Sequence, residues 1–248
     1  MKTVSLVLTT YNSEENLKRT LESIEKQDYP AIEVIIKDGG STDRTLEIIK
    51  TYEKVSKYPV KWSVGRDKGI YDAMNQGYQM TTGDIVAFCN DFLCDTTVVS
   101  KMVQVIEAHP KCVGAHADLV YATDEKVVRY WKMGPQKSLY IGWMPGHPTL
   151  FLKREIYEKY GLFNPDYRIA ADYEFMIRFL KDKSNQLAYL PETIIRMYYG
   201  GTSTSGTGSY LLSLREGHRA LKDNGIKGAF VIDFLRTCRV IWQFLRCQ

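Results

Sequence analysis

The stretch Val4-Ser5-Leu6-Val7-Leu8-Thr9-Thr10-Tyr11-Asn12-Ser13-Glu14-Glu15 opens the chain and carries the unit on which the fold rests. The first five residues are apolar apart from Ser5 and too few for a core helix, so they read as a buried strand. Residues 9–13 form a polar loop. Asn12 or Ser13 can cap the helix that follows, with Glu14 and Glu15 in its first turn, where backbone amides lack partners. Leu17, Leu21 and Ile24 mark the buried side of that helix, and Asp28-Tyr29-Pro30 ends it.

The same unit then repeats. Residues 32–36 are a second strand, followed by the tight loop Lys37-Asp38-Gly39-Gly40-Ser41-Thr42-Asp43 and a helix with Leu46, Ile49 and Tyr52 inward. Residues 60–64 are a third strand, and Asp67-Lys68-Gly69 turns into a helix over 70–80. Residues 84–89 are a fourth strand, ending at Asn90-Asp91. Strands alternating with helices at this spacing imply right-handed crossovers and a mostly parallel sheet. Ligands in such sheets bind beyond the carboxyl ends of the strands. The loops at 10–12, 38–42, 67–68 and 90–91 all fall on that edge. Polar residues favour loops in any protein, but four acid or amide placements after four strands point to a site.

The 248 residues suffice for one large domain or two small ones, and 44% apolar with 25% charged residues fits a globular chain with a full core. A net charge of +4 argues against dedicated nucleic-acid binding and allows anionic ligands or an anionic membrane surface. The five cysteines form no CxxC pair, which fits a reducing compartment without a zinc site or disulfide framework. No signal-peptide pattern and no apolar run of about 18 residues is present. The expected location is the cytoplasm. No GxGxxG follows the first strand and no GxxxxGK[ST] occurs, so a dinucleotide cofactor or an ATP-type phosphate loop is not expected.

Further on, Ile169-Ala170-Ala171-Asp172-Tyr173-Glu174-Phe175-Met176-Ile177-Arg178 reads as a helix start, with Phe175, Phe179, Met176 and Leu180 at one-turn spacings. Asp172 falls in the first turn, where acids are favoured by the free amides and the helix dipole. A carboxylate at the edge of a core, open on one side, is equally suited to take a proton from an incoming hydroxyl.

The ordered set of 4–12, 35–43, Asp67-Lys68-Gly69-Ile70-Tyr71-Asp72-Ala73-Met74-Asn75 and 170–175 resembles the family 2 glycosyltransferases of GT-A fold. It is most similar to the enzymes of bacterial exopolysaccharide and O-antigen synthesis, which also carry a stretch like Gly200-Gly201-Thr202-Ser203. The resemblance covers roughly residues 1–200. It implies Thr10, Tyr11 and Asn12 by the nucleotide, Asp38 on a uracil ring, Asp67 and Lys68 near base and phosphates, and Asn90 near the ribose. It implies Asp172 as the base of an inverting, single-displacement transfer from a nucleotide-sugar, a UDP-sugar first, to a glycan or lipid-linked acceptor.

One departure stands out. The family's Asp-x-Asp after the fourth strand is replaced by Cys89-Asn90-Asp91-Phe92-Leu93-Cys94-Asp95. Asp91 or Asp95 remain as candidate ligands for a divalent metal, Mg or Mn. Fewer acids should weaken binding of a hard cation or abolish it.

Two strands are expected at 113–121 and 127–131, then a loop, Trp143-Met144-Pro145-Gly146-His147-Pro148, before a strand at 149–152. His147 serves either a structural hydrogen bond or the site, and Trp143 could stack on a sugar. Short strands are expected at 188–190 and 193–197. The glycine-rich residues 200–209, with Gly201 and Ser203, are either a surface linker or a lid. A helix over 210–224 follows. In 227–248 the residues Phe230, Val231, Phe234, Leu235, Cys238, Ile241, Trp242 and Leu245 share one side of a helix, with Arg236, Arg239 and Arg246 opposite. That helix either docks its apolar side on the body or attaches peripherally to the inner face of the cytoplasmic membrane.

The resulting expectation is an α/β, GT-A (Rossmann-like) domain over 1–226 with a C-terminal helical extension over 227–248. Within the domain, 1–111 is the nucleotide-sugar half and 112–226 the acceptor half. The alternatives are a catalytically degenerate sugar-nucleotide or glycan-binding protein and a nucleotidyltransferase. The latter usually shows a glycine-rich loop after the first strand, and residues 9–13 contain no glycine.

Overall fold

A computed structural model describes residues 1–123, 125–198 and 206–245. One sheet runs through the molecule. Its first four strands are β1 (Val4–Thr10), β2 (Ile32–Asp38), β3 (Val60–Val64) and β4 (Ile85–Phe88), all parallel, in the order β3-β2-β1-β4. They are joined by α1 (Glu14–Glu25), α2 (Thr45–Val55) and α3 (Ile70–Gln79). β1, β2 and β4 are covered on both sides, which is why they read as near-continuous apolar runs.

The second half continues the sheet. β5 (Phe92–Leu93) precedes α4 (Val98–Ala108). β6 (Gly114–Ala122) and β7 (Val127–Trp131) form a hairpin-like pair, and two 3₁₀ turns, Leu139–Ile141 and His147–Thr149, lead to β8 (Phe151–Lys153). Then come α5 (Arg154–Tyr160), α6 (Ala171–Leu180), β9 (Leu187–Tyr198), α7 (Gly206–Asp223) and α8 (Ala229–Leu245). The sheet order is β3-β2-β1-β4-β8-β6-β9-β5, with β7 on β6. β8 runs antiparallel between β4 and β6, while the long β6–β9 pairing is parallel. The result is a mostly parallel α/β sheet flanked by helices.

Two apolar cores result, one per face. Val4, Leu6 and Leu8 pack with Leu17, Leu21 and Ile24 of α1 and with Val99 and Met102 of α4. Val7, on the other face of β1, joins Tyr71, Met74, Phe88, Phe175 and Phe179. α6 thus rests on the sheet through the residues whose spacing marked its inner side.

Several expectations are corrected. The strands expected at 188–190 and 193–197 are one strand, β9. Its pairing with β6 shifts between Ala117 and Asp118, so Pro191 and Glu192 bulge out. A proline lacks the ladder donor and is tolerated at such a bulge. The strand expected at 149–152 is shorter, because His147–Thr149 is a 3₁₀ turn begun by Pro148. Phe92 and Leu93, where acids were expected, form β5, antiparallel to Ile195 and Arg196 of β9. Leu93 is buried, and its amide donates to Ser23 Oγ at 3.1 Å. α7 starts at Gly206, inside the glycine-rich stretch.

Candidate active site

The loops after β1 to β4 meet at one edge, and the sequence explains how they are held. Asp38, the last residue of β2, is fully buried. Its Oδ1 accepts from the amides of Gly40 (2.9 Å) and Ser41 (2.8 Å), and its Oδ2 from the hydroxyls of Thr10 (2.9 Å) and Ser41 (2.6 Å). Asp38 therefore ties the β1 loop to the β2 loop. As it stands, both its oxygens are engaged by the chain.

Asn12 adds a second tie. It adopts a left-handed backbone (φ 46°), a conformation asparagine tolerates better than most residues. Its Oδ1 accepts from the Thr42 amide at 2.9 Å, and its own amide donates to Ser41 Oγ at 2.8 Å. Asn90, at the end of β4, accepts from the Thr9 amide and donates to Thr9 Oγ1, both at 2.8 Å.

Gly39 stands where any side chain would collide. A Cβ there would lie 2.8 Å from Asp67 Oδ2 and 3.3 Å from the Tyr11 ring. Asp67 and Tyr11 thus close on one point, and Tyr11 is 65% exposed. Beneath them, buried Lys37 donates to the carbonyls of Asp38 and Gly65, both at 2.7 Å, and stands 3.9 Å from Asp67. Lys37 was not singled out in the sequence, where it reads as the first residue of the loop; it lies within β2. Lys68 is exposed, with its backbone amide on Asp72 Oδ2 at 2.9 Å.

The second group gathers around Asp172 in the first turn of α6. Tyr71, in the first turn of α3, donates its hydroxyl to Asp172 Oδ1 at 2.9 Å. Burial first, and the Asp172 charge second, push the Tyr71 phenol far above its ordinary range, so it stays a donor. His147 lies in the 3₁₀ turn, its ring centroid 5.6 Å from Phe88 and 5.3 Å from Phe163. Burial lowers its pKa, and the Asp172 charge acts against that shift. It is held as a neutral imidazole near the carboxylate.

The loop that delivers Asp172 has its own anchor. Glu216 of α7 accepts three consecutive backbone amides, from Arg168 (2.9 Å), Ile169 (2.9 Å) and Ala170 (3.0 Å). Nothing in the sequence pointed to Glu216, since an acid on an amphipathic helix reads as surface. Tyr71 stood inside a motif, but its bond to a residue 101 positions away was not legible.

Beside Asp172 opens a cleft of about 1100 Å³, walled by Tyr121, His147, Tyr173, Met176, Arg236 and Trp242. Trp143 also borders it. It is only 3% exposed, with Nε1 donating to the Met133 carbonyl at 2.9 Å and its ring edge on His116. The structure places Trp143 as a wall, so its face is not offered for stacking as expected. Gly201 and Ser203 lie outside the described residues.

Asp91 is a carboxylate with little support. It accepts the Tyr198 amide, but burial raises its pKa to about 6. The Asp91 and Asp172 charges both act on the Tyr121 phenol, which lines the cleft. Asp95 does not join them. It lies two residues before the N-cap of α4, accepting from Thr97 N and Oγ1 (2.7 Å each), and pairs with Lys101 at 3.5 Å. Among the described residues no group of three acids, histidines or cysteines could hold a metal alone. Asp91 fits a cation as a single carboxylate, the arrangement in which a magnesium-type ion takes its other oxygens from substrate phosphates and water.

The fold is shared with proteins of known structure. The chain overlays the Staphylococcus aureus TarS fragment 1–349 in complex with UDP-GlcNAc with a TM-score of 0.73 at 19% identity, covering 96% of this chain and 72% of that one. It overlays the mannosyltransferase PcManGT from Pyrobaculum calidifontis, in complex with GDP-Man and Mn²⁺, with a TM-score of 0.70 at 18% identity, covering 99% and 73%. In sequence it is 26% identical over 205 residues to a PGL/p-HBAD biosynthesis glycosyltransferase of Mycobacterium bovis BCG, covering 81% of this chain and 79% of that protein. It is 31% identical over 185 residues to an uncharacterized glycosyltransferase of Mycobacterium tuberculosis, covering 71% and 68%. The family model described as "Glycosyl transferase family 2" matches residues 5–179, the span that holds the loops after β1 to β4, Tyr71 and Asp172, and the chain is therefore a glycosyltransferase of family 2 with a GT-A fold.

Proposed function

We propose that the chain transfers a sugar from a nucleotide-sugar, a UDP-sugar first, to a hydroxyl of a glycan or lipid-linked acceptor in cell-surface polysaccharide synthesis, with inversion. The observation that carries this reading is Asp172. Tyr71 fixes one of its oxygens, and the carboxylate borders a cleft large enough for an acceptor sugar.

In this reading the base and ribose lie at the loop edge. Tyr11, exposed beside Gly39 and Asp67, offers its ring to the base, and Asp38, Asn12 and Asn90 hold the loops in register around it. The acceptor enters the cleft. Its hydroxyl gives its proton to Asp172 as its oxygen forms a bond to the anomeric carbon. The bond from that carbon to the diphosphate oxygen breaks on the opposite face, and the nucleoside diphosphate leaves with the electron pair. His147, neutral beside the carboxylate, adds no competing positive charge. Asp91 would hold a divalent cation together with the diphosphate, and the cation would offset the charge that develops on the leaving group. The solved neighbours in complex with UDP-GlcNAc and with GDP-Man and Mn²⁺ support a nucleotide-sugar donor.

Calorimetric titration of UDP, GDP and dTDP, each with Mn²⁺ and again with EDTA, tests this reading. UDP is expected to bind most tightly and with Mn²⁺ strengthening the binding. Absence of binding by all three nucleotides would overturn it.

A further inference from the structure

α8 is docked the opposite way round from an ordinary amphipathic helix. Its basic side meets the body. The Arg236 guanidinium lies 4.4 Å from the centre of the Tyr173 ring, and a Cβ on Gly217 of α7 would fall 2.5 Å from it. Gly142, at φ +70°, lets the 3₁₀ turn approach so closely that a Cβ would sit 2.6 Å from the Arg236 amide nitrogen. Arg239 Nε donates to the Ile141 carbonyl at 3.1 Å, and Arg129 Nε to Gln243 Oε1 at 2.7 Å.

The apolar side consequently faces outward. Phe230 is 78% exposed and Phe234 66%, and Val231, Cys238, Ile241 and Trp242 are exposed with them. These positions recur at one-turn spacing and form a stripe about 18 Å long at 1.5 Å per residue. A helix on a globular body normally buries such a stripe.

The charges say what covers it. Asp233 is the only acid between residues 225 and 248, against Lys227, Arg236, Arg239 and Arg246. Its carboxylate is turned to His218 at 2.7 Å and Arg236 at 3.6 Å. Arg236 is spent on the body, but Lys227 is exposed and Arg239 only half-buried, so among the described residues the helix leaves positive charge open beside the stripe and no outward carboxylate. That combination suits an anionic bilayer, where apolar side chains enter the acyl boundary and cations meet the headgroups. A two-fold pairing of the stripe with a second copy would instead set like-charged flanks together.

We propose that the outward face of α8 seats the protein on an anionic membrane surface. Because Leu235, Arg239 and Trp242 of the same helix also line the cleft of Asp172, this seat sets the cleft beside the headgroups. It goes beyond the transfer reading and does not need turnover to be tested.

The test is flotation of the full chain with vesicles of phosphatidylcholine alone and of phosphatidylcholine containing about 30% phosphatidylglycerol. The wild type is expected to float with the anionic vesicles and to be released by high salt. The exposed double substitution Phe234→Ser/Ile241→Ser is expected to weaken that binding by about ten-fold or more while leaving nucleotide affinity and Tm unchanged. Flotation with neither composition, equal flotation with both, or a wild-type dimer in sedimentation that the double substitution disperses would each overturn the proposal, the last in favour of a second copy.

Discussion

Tyr71 Oη stands 2.9 Å from Asp172 Oδ1, joining the first turn of α3 to the first turn of α6. The two residues are 101 positions apart in the sequence. The bond fixes one oxygen of a carboxylate that borders the cleft. A hydrogen bond to a charged group contributes about 1.5–3 kcal/mol.

Tyr71→Phe keeps the ring packed against Phe163 and removes only the hydroxyl. Transfer should fall about ten-fold or more in kcat, by that energy scale, with UDP affinity unchanged. Paired rate and calorimetric measurements check it. A loss of affinity with kcat intact would place Tyr71 in donor binding instead.

Glu216→Ala strips the acceptor from three successive amides of the loop before α6. Leaving buried donors unpaired costs about 1–3 kcal/mol each at most, and water will recover part of it, so a loss of about 2–4 kcal/mol is expected. For a chain of this size that is a fall in Tm of several degrees, about 4–10 °C. Activity at low temperature should fall as well, because Asp172 loses its support.

Asp38→Ala removes four hydrogen bonds that hold the β1 and β2 loops together. Both Tm and UDP affinity should fall, affinity by about ten-fold or more. Asp38→Asn keeps the shape. Its amide can face the Thr10 and Ser41 hydroxyls, which can rotate to accept, so its effect on Tm should be much smaller. Equal losses in both variants would show that the charge of Asp38, not its loop geometry, is what matters.

The burial of Asp91 has a pH consequence. Its pKa is raised from 3.8 to about 6 in the folded chain, so the native state holds its proton more tightly than the unfolded state. Its contribution to stability is therefore present below about pH 4 and is lost as pH rises to about 6. Asp91→Asn should remove that loss and raise stability at pH 7 by on the order of 1 kcal/mol, discounted for partial solvent access. Denaturant unfolding of both forms at pH 4 and pH 7 measures it. The same substitution should abolish any strengthening of UDP binding by Mn²⁺.

How far the sequence led depends on the range of the interaction. β1 to β4 and their helices were legible because each is a local pattern, an apolar run followed by a 3.6-residue repeat. The polar loops at 10–12, 38–42, 67–68 and 90–91 were legible as one edge because parallel topology forces them there. The pairing of Tyr71 with Asp172, and the grip of Glu216 on residues 168–170, are contacts between distant segments and leave no periodic trace. Trp143 read as a loop residue near a sugar, yet it is a wall, because its ring packs against His116 under the cleft. Residues 188–190 and 193–197 read as two strands, yet they are one, because a bulge absorbs Pro191 and Glu192. The helical pattern of residues 230–245 marked an apolar and a basic side of α8, although Leu235 of the apolar set turns to the cleft and Arg246 lies outside the described residues. It could not say which side meets the body, and here the arginines do.

The central claim is that Asp172 takes the acceptor proton. The most direct measurement is transfer by Asp172→Asn beside calorimetric UDP affinity for the same protein. Asparagine keeps the size and can still receive the Tyr71 hydroxyl, but it cannot serve as a base. The account predicts a fall in kcat of about 10³-fold or more with UDP affinity within a factor of about two of the wild type. Transfer at close to the wild-type rate would contradict it.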